Sequence, residues 1–136
     1  MKLDVVMNSC PADVSYAPYA VRKLMDGVWM IEDGTPTRSC IYVVEGSDAA
    51  VVIDTGTPCG GDLFALVRKL TPLPWKLIIT HGHPDHAAFL DQVDAFYMSE
   101  RDLELLLSFD PQSAGCVSHL HAIDGATTFD LGGGVV

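Results

Sequence analysis

Basic residues are scarce in this chain. Eight Lys and Arg stand against 18 Asp and Glu, for a formal net charge of −10. A surface of that sign repels phosphate backbones and anionic headgroups, so nucleic acid and anionic membranes are excluded as partners, while divalent cations are not. Cysteine is also sparse. Cys10, Cys40, Cys59 and Cys116 are widely spaced and form no C-x-x-C pair, which argues against a zinc ribbon and a dense disulfide scaffold. Reduced thiols are expected. No run approaches the roughly 20 apolar residues of a membrane-spanning helix. The opening "MKLDVVMNSCPAD" has no apolar stretch long enough for a signal peptide. A soluble, cytoplasmic protein is the expectation. There is no repeat, no G-x-G-x-x-G, no full phosphate-loop pattern and no Ser-His-Asp nucleophile motif.

What is present is apolar residue, 49% of 136, with a mean hydropathy of +0.25. One domain with a sizeable core is expected. Residues 1–23 read as an N-terminal arm and 24–136 as the domain. Residues 27–33, "GVWMIED", read as a first strand. In residues 40–56, "CIYVVEGSDAAVVIDTG", two β-branched runs flank Gly46-Ser47-Asp48, which predicts a hairpin with both arms covered on both faces. Asp62 can cap a helix running to about Leu70, ended by Pro72 and Pro74. "WKLIIT" (75–80) is a short strand, 87–93 a short helix, "AFYM" a strand, and Ser99 opens a helix through "ERDLELLLSF". The tail reads as a strand, a turn at Gly132-Gly133-Gly134 and the beginning of a return strand, the pattern expected of a truncated chain. Trp29 and Trp75 belong in the core. The alternation of strands and helices predicts an α/β layered fold.

The concentrated chemistry is in "IITHGHPDHAAF". Three of the five histidines and one aspartate fall within residues 81–86. His81 and His83 are two apart in an extended segment, so their rings can point the same way. Asp85 and His86 follow at the expected helix entrance. Imidazole and carboxylate are good ligands for Zn²⁺, and in some settings for Fe or Mn. Buried as mere packing, these groups would be costly. A metal site is expected.

"THGHPDH" resembles the H-x-H-x-D-H signature of the metallo-β-lactamase fold superfamily, "VVIDTG" resembles its strand-end aspartate at Asp54, and "FDLGG" resembles a later strand. The resemblance runs from about residue 24 to the end and implies the N-terminal half of a four-layer αββα fold. It implies a metal-dependent hydrolase, glyoxalase II-like, attacking an ester, thioester, lactone or amide of a small-molecule substrate. It also implies His81 and His83 as ligands of one Zn²⁺, Asp85 and His86 as ligands of a second, Asp85 as a catalytic group and Asp54 as the buried aspartate that orients them. Three further family ligands, two histidines and a bridging aspartate, are not in this chain, so the alternative is a catalytically incomplete half-domain that binds metal or a partner. Substitute ligands could come from His119 and His121, spaced two apart, or from the thiols of Cys59 and Cys116. "HAAF", where glyoxalase II enzymes carry glycine, departs from that branch. A half-domain would expose a sheet face, through which a homodimer could form.

Overall fold

The computed structural model describes residues 16–136, and its centre is one seven-stranded sheet whose strands lie in chain order. They are β1 (Ala20–Met25), β2 (Val28–Glu32), β3 (Cys40–Glu45), β4 (Ala50–Ile53), β5 (Trp75–Ile78), β6 (Phe96–Met98) and β7 (Leu120–Ala122). The first four form an antiparallel meander, and β4 through β7 run parallel. Parallel neighbours need long crossovers. The first holds helix α1 (Leu63–Leu70) and the last holds helix α2 (Leu103–Phe109). Between β5 and β6 lies the histidine segment. The α/β expectation is met.

Alternation along the strands divides the sheet into two unlike faces. On one, Trp29, Ile31, Ile41, Val43, Val52 and Leu77 are buried against Leu63, Phe64, Leu66, Val67 and Leu70 of α1. Asp62 caps α1 as expected, its carboxylate accepting from Ala65 N at 3.0 Å. On the other face Val28, Met30, Tyr42, Val44, Ile53 and Ile78 are half-buried. There Phe129 sets its ring edge-on to Tyr97, and Lys76 Nζ lies over both rings, 5.5 and 5.9 Å from their centroids.

Several sequence expectations need correction. β4 is buried from Ala50 to Val52, but β3 buries only Ile41 and Val43, so the hairpin is not covered on both faces throughout. The arm expected over 1–23 lies partly outside the described residues, and its last residues enter β1. No α-helix forms over 87–93. Phe89 turns into the left-handed region (φ 61°), and only a 3-10 turn, Leu90–Gln92, follows. Seven residues are too few to hold a helix unaided, and the Thr55 hydroxyl takes the amide of Ala88 at 2.7 Å. The tail forms no regular strand beyond Ala122. It has a single bridge between Gly132 and Val135, and the Leu131 carbonyl accepts from Asp48 N and Ala49 N at the β3–β4 turn. Gly132, Gly133 and Gly134 all have positive φ, which a side chain would resist.

Candidate metal centre

The parallel strands β4 and β5 end side by side, and their C-terminal ends carry the site. Directly after β4, Asp54 takes a left-handed backbone (φ 66°). Asp tolerates that conformation better than most residues. The bend puts its carboxylate, only 5% exposed, beneath the loop that follows β5. Oδ1 accepts the amide of Thr80 at 2.7 Å; Oδ2 accepts the Thr80 hydroxyl and meets His86 Nδ1, each at 2.7 Å.

These contacts constrain the tautomers. A carboxylate only accepts, so His86 donates from Nδ1, and in the neutral ring Nε2 keeps a lone pair. Thr80 gives its hydroxyl proton to Asp54. Its oxygen, 3.0 Å from His81 Nδ1, therefore accepts from that ring, and His81 Nε2 is likewise left with a lone pair. One buried aspartate thus aligns two imidazoles, one directly and one through a threonine.

The loop itself is tightly held. The His83 carbonyl accepts from His86 N (3.0 Å) and Ala87 N (3.1 Å). Thr55, fully buried, gives its amide and hydroxyl to the His86 carbonyl at 3.1 and 3.0 Å. Gly82 sits directly against α2, where a Cβ would lie 2.7 Å from Leu106 N and 2.8 Å from Asp102 O. The imidazoles of His81 and His86 are 4.0 Å apart between centroids, and those of His81 and His83 4.8 Å.

Asp85 completes the group. Its Oδ2 accepts from Ser39 Oγ at 3.2 Å and lies 3.4 Å from His86 Nε2. In a neutral His86 the one ring proton is committed to Asp54, so this contact sets a lone pair against a carboxylate oxygen, an arrangement that a shared proton or a metal cation satisfies. A tetrahedral Zn²⁺ with bonds of about 2.1 Å holds its ligands about 3.4 Å apart. The donor set therefore fits a divalent metal, as one wall of a site. It does not close one alone: among the described residues, no three His, Cys, Asp or Glu side chains form a group able to hold a metal ion.

Ser39 reaches Asp85 from the β2–β3 loop, which is braced by other charges. Arg38 adopts φ 53° and pairs with Glu32 at 3.1 Å. Burial pushes the Asp33 carboxyl up, but hydrogen bonds from Thr35 and from Thr57 N at 2.8 Å outweigh it and hold the group below the usual carboxylate range. Asp33 thereby ties this loop to the segment just after Asp54.

The residues considered as substitute ligands have neighbours of their own. His121 stacks on Tyr97 (5.0 Å, 25°) at the level of Ile78, back along the sheet from His81. His119 ends the preceding 3-10 segment, its Nδ1 buried without a hydrogen-bond partner. Cys59 lies beside Tyr19, whose hydroxyl is pushed upward by burial and then by that thiol. Burial, with Asp91 and Asp110 nearby, also pushes the Cys116 thiol up. Cys40, Cys59 and Cys116 are free thiols. No helix among the described residues is long and apolar enough to cross a membrane.

Ser39, Thr55 and Thr80 belong to the site and were not anticipated from sequence. Thr80 adjoins the motif, and a hydroxyl beside a histidine ligand is a usable signal. Nothing in the sequence marks Ser39, which lies 46 positions from its partner.

Residues 34–97 match the family model described as the metallo-beta-lactamase superfamily. No curated protein matches. Among solved structures, a metallo-beta-lactamase from Pontibacter korlensis is similar with a TM-score of 0.61 and 22% identity, over 85% of this chain and 57% of that one. One from Erythrobacter litoralis, crystallised with beta mercaptoethanol in its active site, gives 0.58 and 22% over 86% and 53%. One from Hirschia baltica gives 0.56 and 21% over 66% and 47%. The chain spans about half the length of these structures.

Proposed function

We propose, from the match of residues 34–97 to the metallo-beta-lactamase superfamily model and the fold shared with the solved metallo-beta-lactamases, that the chain forms the metal-binding wall of a divalent-metal-dependent hydrolase. His81 and His83 face one ion, and Asp85 and His86 the other. The observation that carries this reading is the 3.4 Å approach of His86 Nε2 to Asp85 Oδ2, with Nδ1 already committed to Asp54. Zinc suits this donor set best, and iron or manganese can replace it.

Such an ion, when bound, polarises an electrophile and lowers the pKa of a coordinated water to about 7. The chain's own groups supply the rest. His81 and His86 present Nε2 in tautomers set beforehand by Asp54 and Thr80. Asp85, held through Oδ2 by Ser39, orients the attacking water and takes its proton. The reaction is hydrolysis of an ester, thioester, lactone or amide of a small molecule, with thioesters of the glyoxalase II type a leading class. A second reading is a metal-binding or interaction module without turnover, favoured by the lack of a closed metal-holding group among the described residues.

Metal content and turnover separate the two. Zinc and cobalt uptake by the 136-residue chain is measured beside a His86→Ala variant, followed by thioester and β-lactam assays. Uptake abolished in the variant, together with hydrolysis, supports the hydrolase. Uptake without hydrolysis supports the module, and uptake equal in both proteins overturns the site.

A further inference from the structure

Among the described residues, three large apolar side chains are more than half exposed: Met25 (62%), Phe109 (57%) and Val136 (76%). Only Phe109 stands at the metal centre. Its ring meets that of His83 edge-on, with centroids 5.5 Å apart and planes 80° apart.

That placement is set by the helix that carries the ring. Phe109 is the last residue of α2, whose end is fixed by the Asp110 amide bonding to the Leu106 carbonyl at 2.8 Å. Leu106, 2% exposed, anchors the helix in the core. The missing side chain of Gly82 lets the helix backbone rest directly on the histidine loop. The same contact that locates the loop therefore locates Phe109, and it leaves more than half of that side chain open to solvent beside His83.

We propose that Phe109 is a specificity-determining residue that selects substrates carrying an aryl or bulky alkyl group next to the scissile bond. This rests on the metal-hydrolase reading above. Phe109 is the exposed ring beside His83, so a substituent lying over that histidine would meet it. A charged or hydrated substituent there would lose water to an apolar surface without gaining a partner. An aromatic one would exchange exposed ring area for an edge-to-face or stacked contact.

Thiols provide the probe, since a thiolate binds metal and its substituent samples the neighbouring wall. The full chain is loaded with cobalt, and 2-mercaptoethanol and benzyl mercaptan are titrated against it by thiolate-to-cobalt absorbance. The wild type is expected to prefer benzyl mercaptan by about tenfold, since a good aromatic contact is worth on the order of 1 kcal/mol or somewhat more. Phe109→Ala should abolish the preference with cobalt affinity unchanged. Phe109→Trp should keep it, and so should Met25→Ala, the control at a remote exposed side chain. An equal ratio in wild type and Phe109→Ala overturns the proposal. So does a loss of cobalt affinity in Phe109→Ala, because the ring would then act by supporting His83. Failure of the wild type to bind cobalt overturns the hydrolase reading and this inference together; cobalt binding without aryl preference overturns this inference alone.

Discussion

Replacing Asp54 separates its two roles, holding the fold and setting tautomers. In Asp54→Ala the amide and hydroxyl of Thr80 and the Nδ1–H of His86 lose their acceptor, all from bonds of 2.7 Å. Hydrogen bonds to a charged group contribute roughly 1.5–3 kcal/mol each. Thr80 is exposed and His86 partly so, and water recovers part of that loss. Alanine at φ 66° adds strain of about 1 kcal/mol. The sum is a destabilisation of about 3–5 kcal/mol, against a total of roughly 5–15 for an ordinary domain. Asp54→Asn behaves differently. Asparagine tolerates the left-handed backbone, and its carbonyl still accepts from Thr80 N. Its NH2, however, presents hydrogens to His86 Nδ1, which must then accept. The ring proton moves to Nε2, the atom that the proposed site offers to metal. Stability should fall by only about 1–2 kcal/mol, while metal affinity should fall roughly 10- to 100-fold. Urea denaturation reads the first quantity, and zinc competition against a chromophoric chelator reads the second. An Asp54→Asn protein that binds zinc as tightly as wild type would refute the tautomer argument, whatever its stability.

Gly82→Ala drives a Cβ to 2.7 Å from the α2 backbone; a loss of about 1–3 kcal/mol, with shifted Phe109 and His83 ring resonances by NMR, is expected. Asp62→Ala removes the cap of α1 and should cost about 1 kcal/mol in chemical denaturation, with metal affinity unchanged. For Asp33 the folded pKa is lowered, so its stabilisation is present above the unfolded value of about 4 and is lost as pH falls through the lower folded value. Acid titration of stability should accordingly be shallower below about pH 4 in Asp33→Asn than in wild type, and parallel slopes would contradict this.

Some of this was legible in sequence because it is local. The β3–β4 hairpin follows from two β-branched runs around Gly46-Ser47-Asp48, the α1 cap from Asp62 before an amphipathic run, and the histidine group from spacing alone. What escaped depends on distant partners. β1 reads "AVRKLM" and mixes cations into its pattern, so only its pairing with β2 makes it a strand. The region 87–93 has helix-forming alanines, but Thr55, more than thirty positions earlier, claims its amide. Ser39 looks like an ordinary loop serine until the left-handed turn at Arg38 and the Glu32 ion pair aim it at Asp85. His119 and His121 have the spacing of ligands, but His119 ends a 3-10 segment and strand register sets His121 against Tyr97.

The same long-range contacts explain why the wall can stand before an ion arrives. An unsupported loop with three imidazoles and a carboxylate would have to lose side-chain and backbone freedom on binding, at about 1–2 kcal/mol per ordered residue. Here the freedom is already removed by groups that are not ligands: Asp54 beneath the rings, Thr55 on the His86 carbonyl, Ser39 on Asp85 and α2 against Gly82. Each anchor comes from a different part of the fold. Folding therefore supplies the orientation of these side chains, and in the proposed site metal affinity would depend on how many donors meet the ion rather than on ordering the loop.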